Sequence, residues 1–126
     1  MIFDTDVLIW LARRSERAAD AVRDTERRAV SVVSYMEMLR GSRDKRELVS
    51  MRNFLRSFGF EVLPLTENIG NRAATYLEMY CLRVALEVSD ALIAATAAES
   101  NLPLTTGNVK HFSVIQGLDL RPFRPR

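Results

Sequence analysis

At 126 residues, with 48% hydrophobic and 27% charged side chains, the chain has the make-up of an ordinary globular protein, and a single domain spanning residues 1–126 is expected. That composition excludes disorder. No stretch approaches the roughly 20 apolar residues of a membrane span. The opening apolar run is broken by Asp4 and Asp6 and has no basic region before it, so it does not read as a signal peptide. Net charge is only +2, yet 16 of the 18 basic residues are Arg and twelve of the eighteen precede residue 57. Arginine's planar fork suits phosphate, so this stretch is a candidate nucleic-acid footprint. Glu16, Asp20, Asp24, Glu26, Asp44 and Glu47 are interspersed there, which leaves open that many of these charges are helix-surface pairs. Cys81 is the single cysteine and lies in the apolar stretch TYLEMYCL, so it reads as a core filler in a reducing, cytoplasmic compartment.

Strands alternate with helices along the chain. MIFD reads as a short buried strand, and DVLIWLARR as a helix capped by Asp6. SERAADAVRDTERR is a second helix with Ser15 as its cap, and AVSVV is a short β-branched strand. SYMEMLRG follows as a helix capped by Ser34 and closed by Gly41. In SRDKRELVSMRNFLRSFG, the spacing of Leu48, Met51, Phe54, Leu55 and Phe58 predicts an amphipathic helix ended by Gly59. FEVLPL is a third strand. Thr66 opens a helix that presents Ile69, Ala73, Leu77 and Tyr80 on one face. SDALIAATAAESN, apolar all round, predicts a buried helix beginning at Ser89 or Asp90. LPLTT is a fourth strand, NVKHF a short turn or helix, and LDLRPF an edge strand suited to Pro122. This order argues for an α/β fold with a mostly parallel sheet.

In such sheets ligands bind beyond the carboxyl ends of the strands, where strand order reverses. Asp4 ends the first strand, Glu37 follows the second, Asp90 opens the buried helix, and Asn108 follows the fourth strand with Thr106 two residues before it. Three acids and an amide at one sheet edge would make an all-oxygen site, the chemistry that Mg²⁺ or Mn²⁺ requires. Each residue also has a plainer reading. Asp4 could bond nearby backbone amides, Asp6 could cap a helix, and Glu37 could pair with Arg40 or Arg13. Asp90 could serve the helix dipole, and Asn108 could cap the NVKHF turn. Met36, Met38 and Leu39 predict a partly buried helix around Glu37, which raises the cost of leaving that acid unpaired. His111, the only histidine, reads as a solvent or packing residue.

FDTDVLIW, VSVVSYMEMLRG, SDALIAATAAESNLPLTTGN and VKHF, in this order and spacing, resemble the signature blocks of PIN-domain proteins, particularly VapC-like toxins of bacterial toxin–antitoxin pairs. The resemblance covers residues 2 to about 120. It implies a three-layer α/β/α fold with a central, mostly parallel sheet, and Mg²⁺- or Mn²⁺-dependent cleavage of single-stranded or looped RNA. Carried over by position, the acidic cluster would be Asp4, Glu37 and Asp90, with Asn108 at the fourth site and Thr106 as a supporting hydroxyl. Many relatives have Asp where this chain has Asn108, and an uncharged residue such as Asn where it has Asp6. The resemblance also implies a homodimer, for which the helix face around Met51, Phe54 and Phe58 is one candidate surface, ordinary core being the other reading. A small antitoxin would restrain the enzyme by laying a segment over the site, with an Arg among the carboxylates. Arg13, Arg40 and Arg43 are candidate phosphate contacts.

Two other readings are weighed. FDTDV has the Asp-x-Asp pair of haloacid dehalogenase-like phosphatases, but Val7 stands where they carry Gly, and no Asp-Asp pair follows. A PIN-fold module that binds RNA or protein without cutting is the alternative, kept open by the neutral Asn108.

Overall fold

Two residues suffice for the first strand. In the computed structural model, which describes residues 1–125, Ile2–Phe3 form β1, and the pleat sends their side chains to opposite faces of the sheet. Ile2 joins Ala29 and Leu104 in a core closed by α5 (Glu67–Tyr80) and α6 (Val88–Glu99). Phe3 joins Val30 and Phe123 in a second core, under α1 (Thr5–Ala12), α2 (Glu16–Arg23) and α4 (Lys45–Ser57). The result is helices, sheet, helices. The intervening α3 (Val32–Arg40) serves both sides, with Val33 packed on the first core and Met38 buried in the second.

The sheet holds β1, β2 (Ala29–Ser31), β3 (Glu61–Leu63), β4 (Leu104–Thr106) and β5 (Leu120–Pro122) in the order β3-β2-β1-β4-β5, with every neighbouring pair parallel. From β1 the chain steps outward to β3, then crosses back to begin β4 on the other side of β1. Strand order therefore reverses between β1 and β4, which makes the crevice beyond their carboxyl ends the expected ligand site. Pro122 lies on an edge strand, where its missing N–H leaves no ladder bond unmade. Small side chains let α6 sink between α5 and the sheet: Ala91, Ala94, Ala95 and Ala97 are all buried. Among the described residues no helix is long and apolar enough to cross a membrane.

Helix starts are where the sequence reading needs correction. Asp4 caps α1, its side chain accepting from Thr5 N, so Asp6 sits inside the first turn and is not the cap. Likewise the second strand is shorter than AVSVV: Ser31 caps α3 by accepting from Val33 N, and Ser34 lies buried within that helix. At α6 the cap is Glu87, with Asp90 at the third helical position completing a reciprocal capping box. In each case an earlier polar side chain reached the free amides first. Ser15 caps α2 and Thr66 caps α5 as expected, and α7 (Val109–Phe112) is the short helix read in NVKHF. Cys81 is exposed at the end of α5, not a core filler, because α5 turns Tyr76 and Tyr80 inward instead.

Candidate active site at the carboxyl edge of the sheet

The register between β1 and β4 builds the centre of the site. Ile2 lies opposite Leu104 and Phe3 opposite Thr105, so the next residues, Asp4 and Thr106, come side by side just where the strands end. Asp4 is only 6% exposed. Its backbone amide donates to Thr105 O at 2.9 Å, its Oδ1 accepts from Thr5 N at 2.8 Å, and its Oδ2 accepts from Thr106 Oγ1 at 2.6 Å. Fully buried Thr106 in turn accepts from Asn108 N at 3.0 Å, which fixes its hydroxyl to donate toward Asp4.

Beside it stands Asp6, whose Oδ2 accepts from Gly107 N at 2.8 Å while its buried Oδ1 has no hydrogen-bond partner among the described residues. A Cβ on Gly107 would lie 2.7 Å from that Oδ2, so glycine is what lets the loop after β4 approach so closely. The Asp6 carboxyl is raised above its ordinary range, chiefly by burial, with the Gly107 amide opposing. The Asp4 carboxyl is pushed up to about 7, first by burial and then by the charge of Asp6, against the hydrogen bonds from Thr106 and Thr5. Asp90, held by the Glu87 amide at 3.2 Å, is likewise raised by burial first. The charge of Asp90 adds to the rise at Asp4, and that of Glu37 to the rise at Asp90, so the four carboxylates share one electrostatic neighbourhood.

Glu37 departs from expectation. It is exposed and pairs with neither Arg13 nor Arg40; its Oε1 accepts from Thr5 Oγ1 at 2.7 Å, and the same hydroxyl lies 2.9 Å from Ser34 Oγ. Met36, on the same helix, is also half exposed, so burial does not explain this acid. Asn108 occupies the cap position of α7 without a side-chain cap bond; its Nδ2 lies 2.9 Å from His111 Nδ1 instead. His111 is half-buried beside the acids, with that same Nδ1 3.9 Å from Asp90 Oδ2. Four contributors were therefore not read from the sequence as part of the site: Thr5, Ser34, Gly107 and His111. Two had a visible signal, since Thr5 is the residue inside Asp-x-Asp and Gly107 sits between a strand-end Thr and the Asn.

The donor set fits a hard cation by charge. Asp4, Asp6, Glu37 and Asp90 meet at one edge, and no Lys or Arg among the described residues makes an ion pair with any of them. The orphaned Asp6 Oδ1 and the raised Asp4 carboxyl mark negative charge without compensation. Among the described residues no three acidic, His or Cys side chains close into a cage on their own. An ion held here would keep much of its water, as Mg²⁺ commonly does.

Residues 1–117 match the family described as PIN domain. The chain belongs to that family. It is similar to Ribonuclease VapC10 of Mycobacterium tuberculosis, at 37% identity over 126 residues, covering 94% of this chain and 90% of the relative. Among solved structures it resembles a toxin–antitoxin complex from Klebsiella pneumoniae, with 28% identity, a TM-score of 0.79, and coverage of 99% of this chain and 97% of that one. VapBC-1 from nontypeable Haemophilus influenzae shares the fold at 24% identity and a TM-score of 0.82, over 97% of this chain and 98% of that one.

The arginines of this PIN domain are arranged less specifically than its acids. Arg13 lies 5.7 Å from the Trp10 ring centroid and lines, together with Glu37, a groove of about 570 Å³ between α1, α3 and α4. Arg40 is exposed in the last turn of α3, while Arg43 is engaged by Glu47 at 3.0 Å. Met51, Phe54 and Phe58 are only partly buried; Met51 and Phe54 line the same groove, and Phe54 and Phe58 line a neighbouring one facing α2.

Proposed function

We propose that this PIN domain is a VapC-type endoribonuclease that cleaves RNA phosphodiester bonds with the help of Mg²⁺ or Mn²⁺, and that it is the toxin of a toxin–antitoxin pair. The single observation carrying the metal-nuclease reading is the acid set itself: buried Asp4 beside the charges of Asp6 and Asp90, with no Lys or Arg among the described residues ion-paired to any of them. The ribonuclease relative at 37% identity supports the substrate class.

In this reading Asp4 and Asp90 hold the cation directly or through its waters, and Glu37 completes the shell or accepts a proton from the attacking water. When bound, the cation lowers the pKa of a water and neutralises charge developing on the phosphate. Thr106 fixes Asp4 in place by holding its Oδ2, and the first amide of α1 holds Oδ1. Attack by water on phosphorus with departure of the 3′ oxygen leaves a 5′-phosphate and a 3′-hydroxyl. Arg13, Arg40 and Arg43 are the proposed phosphate contacts, with Arg13 favoured because it shares a groove with Glu37.

A small antitoxin is the proposed partner, its basic side chain entering among the carboxylates; the Klebsiella pneumoniae structure, at 28% identity, is a toxin–antitoxin complex. A homodimer and a cytoplasmic location belong to the same proposal. The alternative, a PIN-fold module that binds without cutting, draws on Asn108, whose amide is turned to His111. Incubation of the purified protein with RNA and Mg²⁺, with and without EDTA, decides between them. Cleavage that stops with EDTA and with Asp4→Ala supports the nuclease; cleavage indifferent to both, or none at all, sinks it.

A further inference from the structure

We propose that Thr5 is the positioning residue of the site, tying Glu37 on α3 to Asp4 at the end of β1 through a chain of hydroxyls that begins at Ser34. The proposal rests on the metal-nuclease reading above. Thr5 touches two of the three proposed ligands with two different groups: its backbone amide donates to Asp4 Oδ1 at 2.8 Å, and its side-chain oxygen lies 2.7 Å from Glu37 Oε1. Among the described residues no other residue joins two of the three ligands Asp4, Glu37 and Asp90 by hydrogen bonds to their carboxylates.

The direction of the chain follows from proton counting. Thr5 Oγ1 has one hydrogen and two oxygen neighbours, Ser34 Oγ at 2.9 Å and Glu37 Oε1 at 2.7 Å. An ionised carboxylate only accepts, so the Thr5 proton goes to Glu37 and the Ser34 hydroxyl donates to Thr5. Buried Ser34 stands at the third position of α3, three residues before Glu37, so both lie on the helix face turned toward α1. Each link polarises the next, which strengthens the bond at the acid end.

Glu37 needs this hold more than its partners do. Asp4 is buried and bonded at both oxygens, and Asp90 is fixed by the capping box at α6. Glu37 is exposed on a longer side chain, has no ion pair, and has Thr5 as its one side-chain partner among the described residues. Without that hydroxyl its rotamers are free, and every ordered contact to an ion or a water must then overcome the entropy of fixing them. The hydroxyl matters here, whereas the Thr methyl is incidental.

Isothermal titration with Mn²⁺ alone, beside single-turnover cleavage in Mg²⁺, tests this in the full chain. Thr5→Val, which keeps the shape, is expected to weaken Mn²⁺ binding and slow cleavage each by about tenfold or more, the scale of one hydrogen bond to a charged group. Thr5→Ser should restore both to within about threefold, and in a Glu37→Gln background Thr5→Val should add little, because the interaction it removes is already weakened. Ser34→Ala, which leaves α1 untouched, should show a smaller loss of the same sign and stands in if Thr5→Val does not fold. Wild-type Mn²⁺ affinity and rate in Thr5→Val, or in Ser34→Ala where that variant stands in, would overturn the proposal. So would a full additional loss on top of Glu37→Gln. Failure of the parent reading looks different: the wild-type chain itself then neither binds Mn²⁺ nor cleaves RNA.

Discussion

The amide of Gly107 donates to Asp6 Oδ2 across 2.8 Å, and a loop carried by β4 is thereby fastened to the first turn of α1. Although Gly107 is exposed, the junction has no room for a Cβ unless the Asp6 carboxylate gives up its place. A Cβ on Gly107 would meet Asp6 Oδ2 at 2.7 Å and Phe123 O at 3.2 Å. Gly107→Ala is therefore expected to destabilise the fold by about 1–3 kcal/mol, the usual cost of forcing extra volume into a filled site. Gly70→Ala, in the exposed interior of α5 with nothing within 4 Å, should instead stabilise by roughly 0.5–1 kcal/mol. Urea unfolding midpoints of the two variants, moving in opposite directions, check the pair.

Thr106→Val keeps the shape of a fully buried side chain and removes its hydroxyl. Asp4 Oδ2 and the Asn108 amide each lose their partner, at 2.6 and 3.0 Å. A loss of about 1–3 kcal/mol is expected in chemical denaturation, the cost of leaving a buried polar group unpaired. RNA cleavage should fall with it. An unchanged midpoint would show that water substitutes for the hydroxyl.

Stability without metal should decline as pH rises. The Asp4 carboxyl ionises near 3.8 in the unfolded chain but only at about 7 in the fold, because burial and Asp6 disfavour its charge. Between those values the native state binds the extra proton, so the stabilisation is complete below the unfolded value, falls by at most roughly 1.4 kcal/mol per pH unit as pH rises, and is gone once pH has passed 7. Unfolding in EDTA at pH 5 and pH 8 checks the sign. Asp4→Asn should flatten the dependence, and millimolar Mg²⁺ should recover stability at pH 8 by binding only the folded form.

The two aspartates of the Asp-x-Asp stretch should separate on substitution. Asp4→Asn removes the buried charge at the switch point and should abolish cleavage. Asp6→Asn keeps an oxygen for the Gly107 amide and relieves the charge beside Asp4, so it should retain much of the activity and be more stable than wild type at pH 8. Equal loss of cleavage in both variants would make Asp6 a ligand.

Much of this was legible in the chain because strands and buried helices declare themselves by composition. Leu104, Thr105 and Thr106 read as a strand, Ala91 to Ala97 as a buried helix, and the residues after each strand as the candidate site; the structure brings those residues to one edge. What eluded the sequence was decided by competition between neighbours of similar chemistry. Asp4 and Asp6 both suit a cap, as do Ser31 and Ser34, and only the register of the preceding strand settles which one meets the free amides. Cross-chain pairings were hidden for another reason. Thr5 with Glu37, Asp6 with Gly107 and Asn108 with His111 depend on how α1, α3 and α7 lie over the sheet edge, which local pattern does not encode.

A two-residue β1 leaves no slack in the count of residues. Adding one there would turn Ile2 and Phe3 each to the opposite face and bring Phe3 to the place of Asp4 beside Thr106, while deleting one would draw Asp4 back to the place of Phe3, and either shift loses the packing and the chemistry together. The turn after Tyr80, where Cys81, Leu82 and Arg83 face solvent before Val84 and Leu86 return to the core, is better placed to absorb a change of length. Natural variants of this chain should therefore differ in length around residues 81–85 while their first six positions stay in step with β4.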